Sequence, residues 1–84
     1  MTVEIEYKES VFEKDLKGID KKTALRIINK LEAVLSKNPN KGAPLKGNYK
    51  GLFKFRVGDY RVIYAKTENG VLVTRIRDRK DVYR

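Results

Sequence analysis

Basic residues recur at close spacing in the second half of the chain: Lys54 and Arg56, then Arg61, then Arg75 and Arg77, with Arg79 just beyond. A guanidinium group is planar and presents a fork of donors that matches phosphate better than the point charge of lysine. The overall charge points the same way, because twenty Lys plus Arg against eleven Asp plus Glu leave the 84-residue chain at +9. Residues 1–45 hold nine basic and seven acidic residues, whereas 46–84 hold eleven and four, including six of the seven arginines. A basic, arginine-rich half reads as a surface for a polyanion; the plain alternative is a solvated face that keeps the protein dispersed. Cysteine and histidine are both absent. Disulfides, thiolate catalysis and cysteine metal sites are therefore excluded, and a transition-metal site is not expected. Any acid or base chemistry falls to Lys, Arg, Tyr, Asp or Glu, or is electrostatic.

These residues need a scaffold, and 84 residues give one domain with one modest core. Apolar residues make up 40% of the chain, enough for a packed fold. Val3, Ile5 and Tyr7 alternate with Thr2, Glu4 and Glu6, the period of a half-buried strand. Ser10-Val11-Phe12-Glu13 has the form of a capping box, predicting a short helix with Phe12 and Leu16 on one face and Gly18 at its end. Asp20 can cap a second helix, whose apolar positions Ala24, Leu25, Ile27, Ile28, Leu31, Val34 and Leu35 recur at helical spacing up to Asn38-Pro39. The Gly-, Pro- and Asn-rich stretch Asn38 to Gly51 reads as a loop.

Three strands are predicted after it, at about Leu52 to Val57, Tyr60 to Lys66 and Val71 to Arg77. Gly58-Asp59 suits a two-residue turn with glycine first. Phe53, Phe55 and Val57 then face Tyr64, Val62 and Tyr60 on the core side, where both tyrosines are structural. Lys54, Arg56, Arg61 and Ile63 take the other side, with Arg56 across from Arg61. A strict two-residue turn at Asn69-Gly70 would put Arg75 and Arg77 in the core, and unpaired buried guanidinium groups are costly. A three-residue connection or a bulge is expected instead, with Leu72, Thr74 and Ile76 inward and Arg75 and Arg77 beside Ile63 and Arg61. Five cations then share one face of three strands. Like charges opposite one another weaken a sheet, so such a face is shaped for an anion rather than for stability.

The stretch "LFKFRVGDYRVIYAK" and the closing "VLVTRIRDRKDVYR" resemble the RelE-type toxins of the RelE/ParE superfamily of type II toxin-antitoxin systems. The resemblance extends over nearly the whole chain, including the "PLKG" loop. It implies an α+β fold over residues 1–84: an N-terminal strand, two helices, then a three-stranded antiparallel meander completing a single sheet packed on the helices. It further implies a cytoplasmic toxin that inhibits translation as a metal-independent, cofactor-free endoribonuclease (an mRNA interferase), cutting mRNA in the ribosomal A site by attack of the ribose 2′-hydroxyl on the adjacent phosphate. The implied partners are the ribosome, mRNA and a small RelB-like antitoxin. No membrane contact is expected, since nothing approaches a membrane-spanning apolar run.

By position, Lys54 matches a strand lysine of the family's active face, Arg61 the hairpin arginine, Arg79 the arginine after the last strand and Tyr83 the tail tyrosine. Arg61 and Arg79 would stabilise charge developing on the phosphate oxygens. Without histidine, the candidate base is a lysine among cations, and Lys54 beside Arg56 and Arg61 is that lysine. Tyr83 would transfer a proton or stack on a base. Lys50, Arg56, Arg75, Arg77, Lys80 and Arg84 complete the expected RNA-binding set. Two positions depart from the family: Arg77-Asp78 stands where many members have Gly-His, and Leu52 where one branch has a lysine, for which Lys50 is the candidate substitute. A ParE-like poison of DNA gyrase and a non-catalytic RNA- or ribosome-binding relic remain the alternatives.

Overall fold

A computed structural model of the chain describes residues 3–45 and 51–78. Strand β1 (Glu4–Tyr7) leads into a helical turn at Val11–Asp15 and then helix α1 (Lys21–Leu35). A two-residue strand β2 (Ala43–Pro44) follows, and β3 (Leu52–Val57), β4 (Tyr60–Lys66) and β5 (Gly70–Asp78) form the predicted meander. Together they make one mixed sheet in the order β1-β5-β4-β3-β2, with only β1 and β5 parallel. The fold is the α+β arrangement expected, and the chain carries its helices from one edge of the sheet to the other before the meander returns to pair with β1.

Helix α1 starts where Asp20 accepts a hydrogen bond from the Thr23 N–H at 3.3 Å, as the sequence predicts. It turns Ile27, Leu31 and Leu35 into the core, onto Val57, Val62, Tyr64, Val71, Val73 and Ile76 of the sheet. The first helical segment differs from expectation. Ser10 itself has helical dihedrals (φ −61°, ψ −22°) and caps nothing through its side chain. A capping residue needs an extended backbone, so the Ser-x-x-Glu pattern goes unused. The Leu16 N–H reaches back five residues to the Val11 carbonyl at 2.8 Å, a single π-turn. Val11 is the residue buried from this turn, while Phe12 is half exposed and tilts against the Tyr7 ring with centroids 5.2 Å apart.

The β3–β4 hairpin has the predicted register throughout, from Leu52 opposite Ala65 to Val57 opposite Tyr60. Gly58, with φ +59°, takes the left-handed corner of its two-residue turn, a conformation side chains disfavour. Between β4 and β5 the register shifts at Ile63/Tyr64, so that Tyr64 faces Val73 while Ile63 faces Arg75. Thr74 is the extra residue, and its hydroxyl donates to the Ile63 carbonyl at 3.0 Å. This is the bulge that the arginines require, but it sits in mid-strand rather than at the turn. Consequently Val71 and Val73 join Ile76 in the core, and the expected core positions Leu72 and Thr74 are only partly buried. A bulge changes which parity of residue points inward, reconciling two inward valines at odd positions with an inward isoleucine at an even one.

Past the end of β1, no strand among the described residues lies beside the outer edge of β5. Asp15, from the helical turn, accepts a hydrogen bond there from the Ile76 N–H at 2.9 Å. A carboxylate thus takes the place of a missing strand neighbour and satisfies a partly buried donor. Among the described residues, no helix is long and apolar enough to cross a membrane.

Candidate functional site

The strand pairings set the basic side chains in rows. Arg56 on β3 lies opposite Arg61 on β4, which lies opposite Arg77 on β5. The next row is Lys54, Ile63 and Arg75, and the one after it is Leu52, Ala65 and Leu72. Lys54, Arg56 and Arg75 are exposed, while Arg61 and Arg77 are partly covered. Adjacent cationic rows on a pleated surface produce a local positive potential that water alone screens incompletely at short range.

Lys54, Arg56 and Arg61 line one groove of about 240 Å³ together with Phe55, Ala43 and Lys41. Three of the predicted residues are therefore brought together around one concavity. Arg77 turns instead to a cavity of about 310 Å³ between the helical turn and the ends of β4 and β5, whose lining includes Lys14, Asp15, Tyr60 and Asp78. Asp78, which departs from the family pattern, is partly buried and lines this same cavity. Arg75 lines neither concavity. Leu52 pairs with Ala65 in a row of small and aliphatic residues. Lys50, Arg79, Lys80, Tyr83 and Arg84 lie outside the described residues.

Lys41 is the contribution that sequence reasoning missed. The loop before β2 looks unstructured by composition, yet β2 pairs Ala43 with Lys54 and Pro44 with Phe53. Tyr64, assigned to the core by alternation, is fully buried and also fixes this loop. Its hydroxyl donates to the Pro39 carbonyl and accepts from the Gly42 N–H, each at 2.9 Å. Burial raises the Tyr64 phenol above its ordinary value, partly offset by the bond from Gly42. Gly42 is needed for this close approach: a β-carbon there would stand 2.5 Å from the Tyr64 hydroxyl and 2.8 Å from the Lys54 carbonyl. The only local signal is Asn-Pro-Asn, which forms a turn in which Asn38 Oδ1 accepts from the Asn40 N–H at 3.1 Å.

The sequence pattern of the family described as "ParE toxin of type II toxin-antitoxin system, parDE" matches residues 5–83. Among solved structures, the chain is similar to one in the RelBE2 toxin-antitoxin complex of Mycobacterium tuberculosis, with TM-score 0.84 and 21% identity over 93% of this chain and 99% of that one. It is also similar to one in the RelB-RelE antitoxin-toxin complex of Methanococcus jannaschii (TM-score 0.68, 26% identity, 93% and 94% covered). A third similar chain lies in the Escherichia coli DinJ-YafQ toxin-antitoxin complex (TM-score 0.64, 20% identity, all of both chains covered). No curated protein matches the chain.

Proposed function

The chain belongs to the ParE toxin family of type II toxin-antitoxin systems, and from that premise we propose that this toxin is a ribosome-dependent endoribonuclease cutting mRNA in the A site. The observation that carries the reading is the groove in which Lys54, Arg56 and Arg61 converge from two paired strands. Cleavage forms a bond from the ribose 2′-oxygen to phosphorus and breaks the bond from phosphorus to the 5′-oxygen. Negative charge builds on the non-bridging oxygens, where the guanidinium groups of Arg61 and Arg79 stabilise it. Lys54 takes the 2′-hydroxyl proton, and Tyr83 returns one to the leaving 5′-oxygen. A small cognate antitoxin, amphipathic and acidic, covers the same basic face, in keeping with the toxin-antitoxin complexes in which the similar chains are found.

Primer extension on a translated message after induction, with and without ribosomes, tests this. New message ends are expected only with ribosomes and only with Arg61 and Arg79 intact; undiminished cleavage by an Arg61→Ala, Arg79→Ala double variant would overturn it. One observation favours a second reading, a poison of DNA gyrase: the matching family pattern is named for ParE. That reading predicts DNA damage signalling on induction while translation continues.

A further inference from the structure

From the geometry of the 39–42 loop we infer that Lys41 is a further phosphate-binding residue of the groove, held in place by Tyr64 acting as a positioning residue. The inference rests on the RNA reading of that groove. Lys41 is exposed and lines the groove with Lys54, Arg56 and Arg61, although it comes from a segment preceding β2 rather than from the cationic strands.

An exposed lysine on a floppy loop adds little, because ordering it on binding offsets what its charge contributes. Here the loop is tied on every side before any ligand arrives. The Lys41 N–H donates to the Asn38 carbonyl at 3.1 Å. The flanking residues Pro39 and Gly42 are both bonded to the Tyr64 hydroxyl. Asn40 accepts from Lys66 Nζ, and that ammonium sits 4.7 Å above the ring centre of Phe53, itself stacked on Tyr64 with centroids 5.6 Å apart. One buried phenol therefore sets the backbone on both sides of the lysine, so the loop need not be ordered when a ligand binds.

The test is the salt dependence of binding to a labelled single-stranded oligouridylate. Each phosphate contact contributes about 0.7 to the slope of log affinity against log salt for single strands. Lys41→Gln is expected to lower that slope by about 0.7. Tyr64→Phe, which keeps the ring and removes the hydroxyl, is expected to lower it equally, and Lys41→Gln added to it should change nothing more. A purely structural tyrosine would shift the denaturation midpoint and leave the slope alone. Gly42→Ala displaces the loop from the other side of the same contact and serves if Tyr64→Phe fails to fold. A slope unchanged in Lys41→Gln but lowered in Lys54→Gln overturns this inference and leaves the groove reading standing. A wild-type protein whose binding has no salt dependence overturns both.

Discussion

Arg56 stands directly across from Arg61 on neighbouring antiparallel strands, a pairing of like charges one step in from the turn of a hairpin. Cross-strand neighbours interact at short range, so the pair works against folding. Arg77 extends the row on the next strand. Replacing Arg56 by Thr relieves the repulsion and adds a good strand former. The variant is expected to be more stable by about 0.5 kcal/mol in low salt and to lose that advantage as salt screens the charges. Its polyanion affinity and toxicity should fall. Urea titrations at two salt concentrations, run beside a growth assay, check both halves; a variant that is less stable at low salt contradicts the first.

Asp15 should matter through one backbone donor. Its carboxylate accepts from the Ile76 N–H, and stranding that donor costs about 1–3 kcal/mol. Asp15→Ala is expected to lose this much and to abolish the hydrogen-exchange protection of the Ile76 amide. Asp15→Asn, which keeps an acceptor oxygen, should lose less. Equal loss in the two variants would show that the bond contributes little.

The tyrosines fix the alkaline limit of the fold. Tyr7 donates to Glu32, and burial first, then the hydrogen bond and charge of that carboxylate, push its phenol well above the ordinary value of 10.0. Tyr64 is raised as well. A phenol whose folded pKa exceeds its unfolded one contributes stability that is intact below the unfolded value and is lost as pH rises beyond it. The denaturation midpoint should hold steady below the ordinary phenol range and fall above it. Tyr7→Phe, which removes one of these groups, is expected to flatten that fall. Absorbance titration of tyrosinate should show Tyr7 and Tyr64 ionising late or only on unfolding.

The boundaries of β3 and β4, the hairpin register and helix α1 were legible because each rests on a local rule: residues alternate in β3 and β4, and Asp20 precedes a helical apolar stripe. The spacing of the arginines also implies an irregularity in the sheet. Its position was not legible, since a longer turn and a mid-strand bulge give Arg75 and Arg77 the same side and differ only in whether Val71 and Val73 or Leu72 and Thr74 point inward. The failed capping box has a similar origin, as the motif specifies side chains while the backbone at Ser10 was already helical. Lys41 was invisible for another reason. Its place is set by Tyr64, more than twenty residues later in the chain, and no local pattern carries that information.

The parallel pairing of β1 with β5 bears on when the sheet is completed. Glu4 is matched with Gly70, so the first strand finds its neighbour only after the helices and the β3–β4 hairpin between them have been made. Local hairpins close quickly and distant pairings slowly, which makes docking of the amino-terminal strand the late event. Until then the outer side of the last strand is an open template for stray strands. A growing chain at that stage is therefore prone to clump, and a waiting partner that captured it would keep that edge covered.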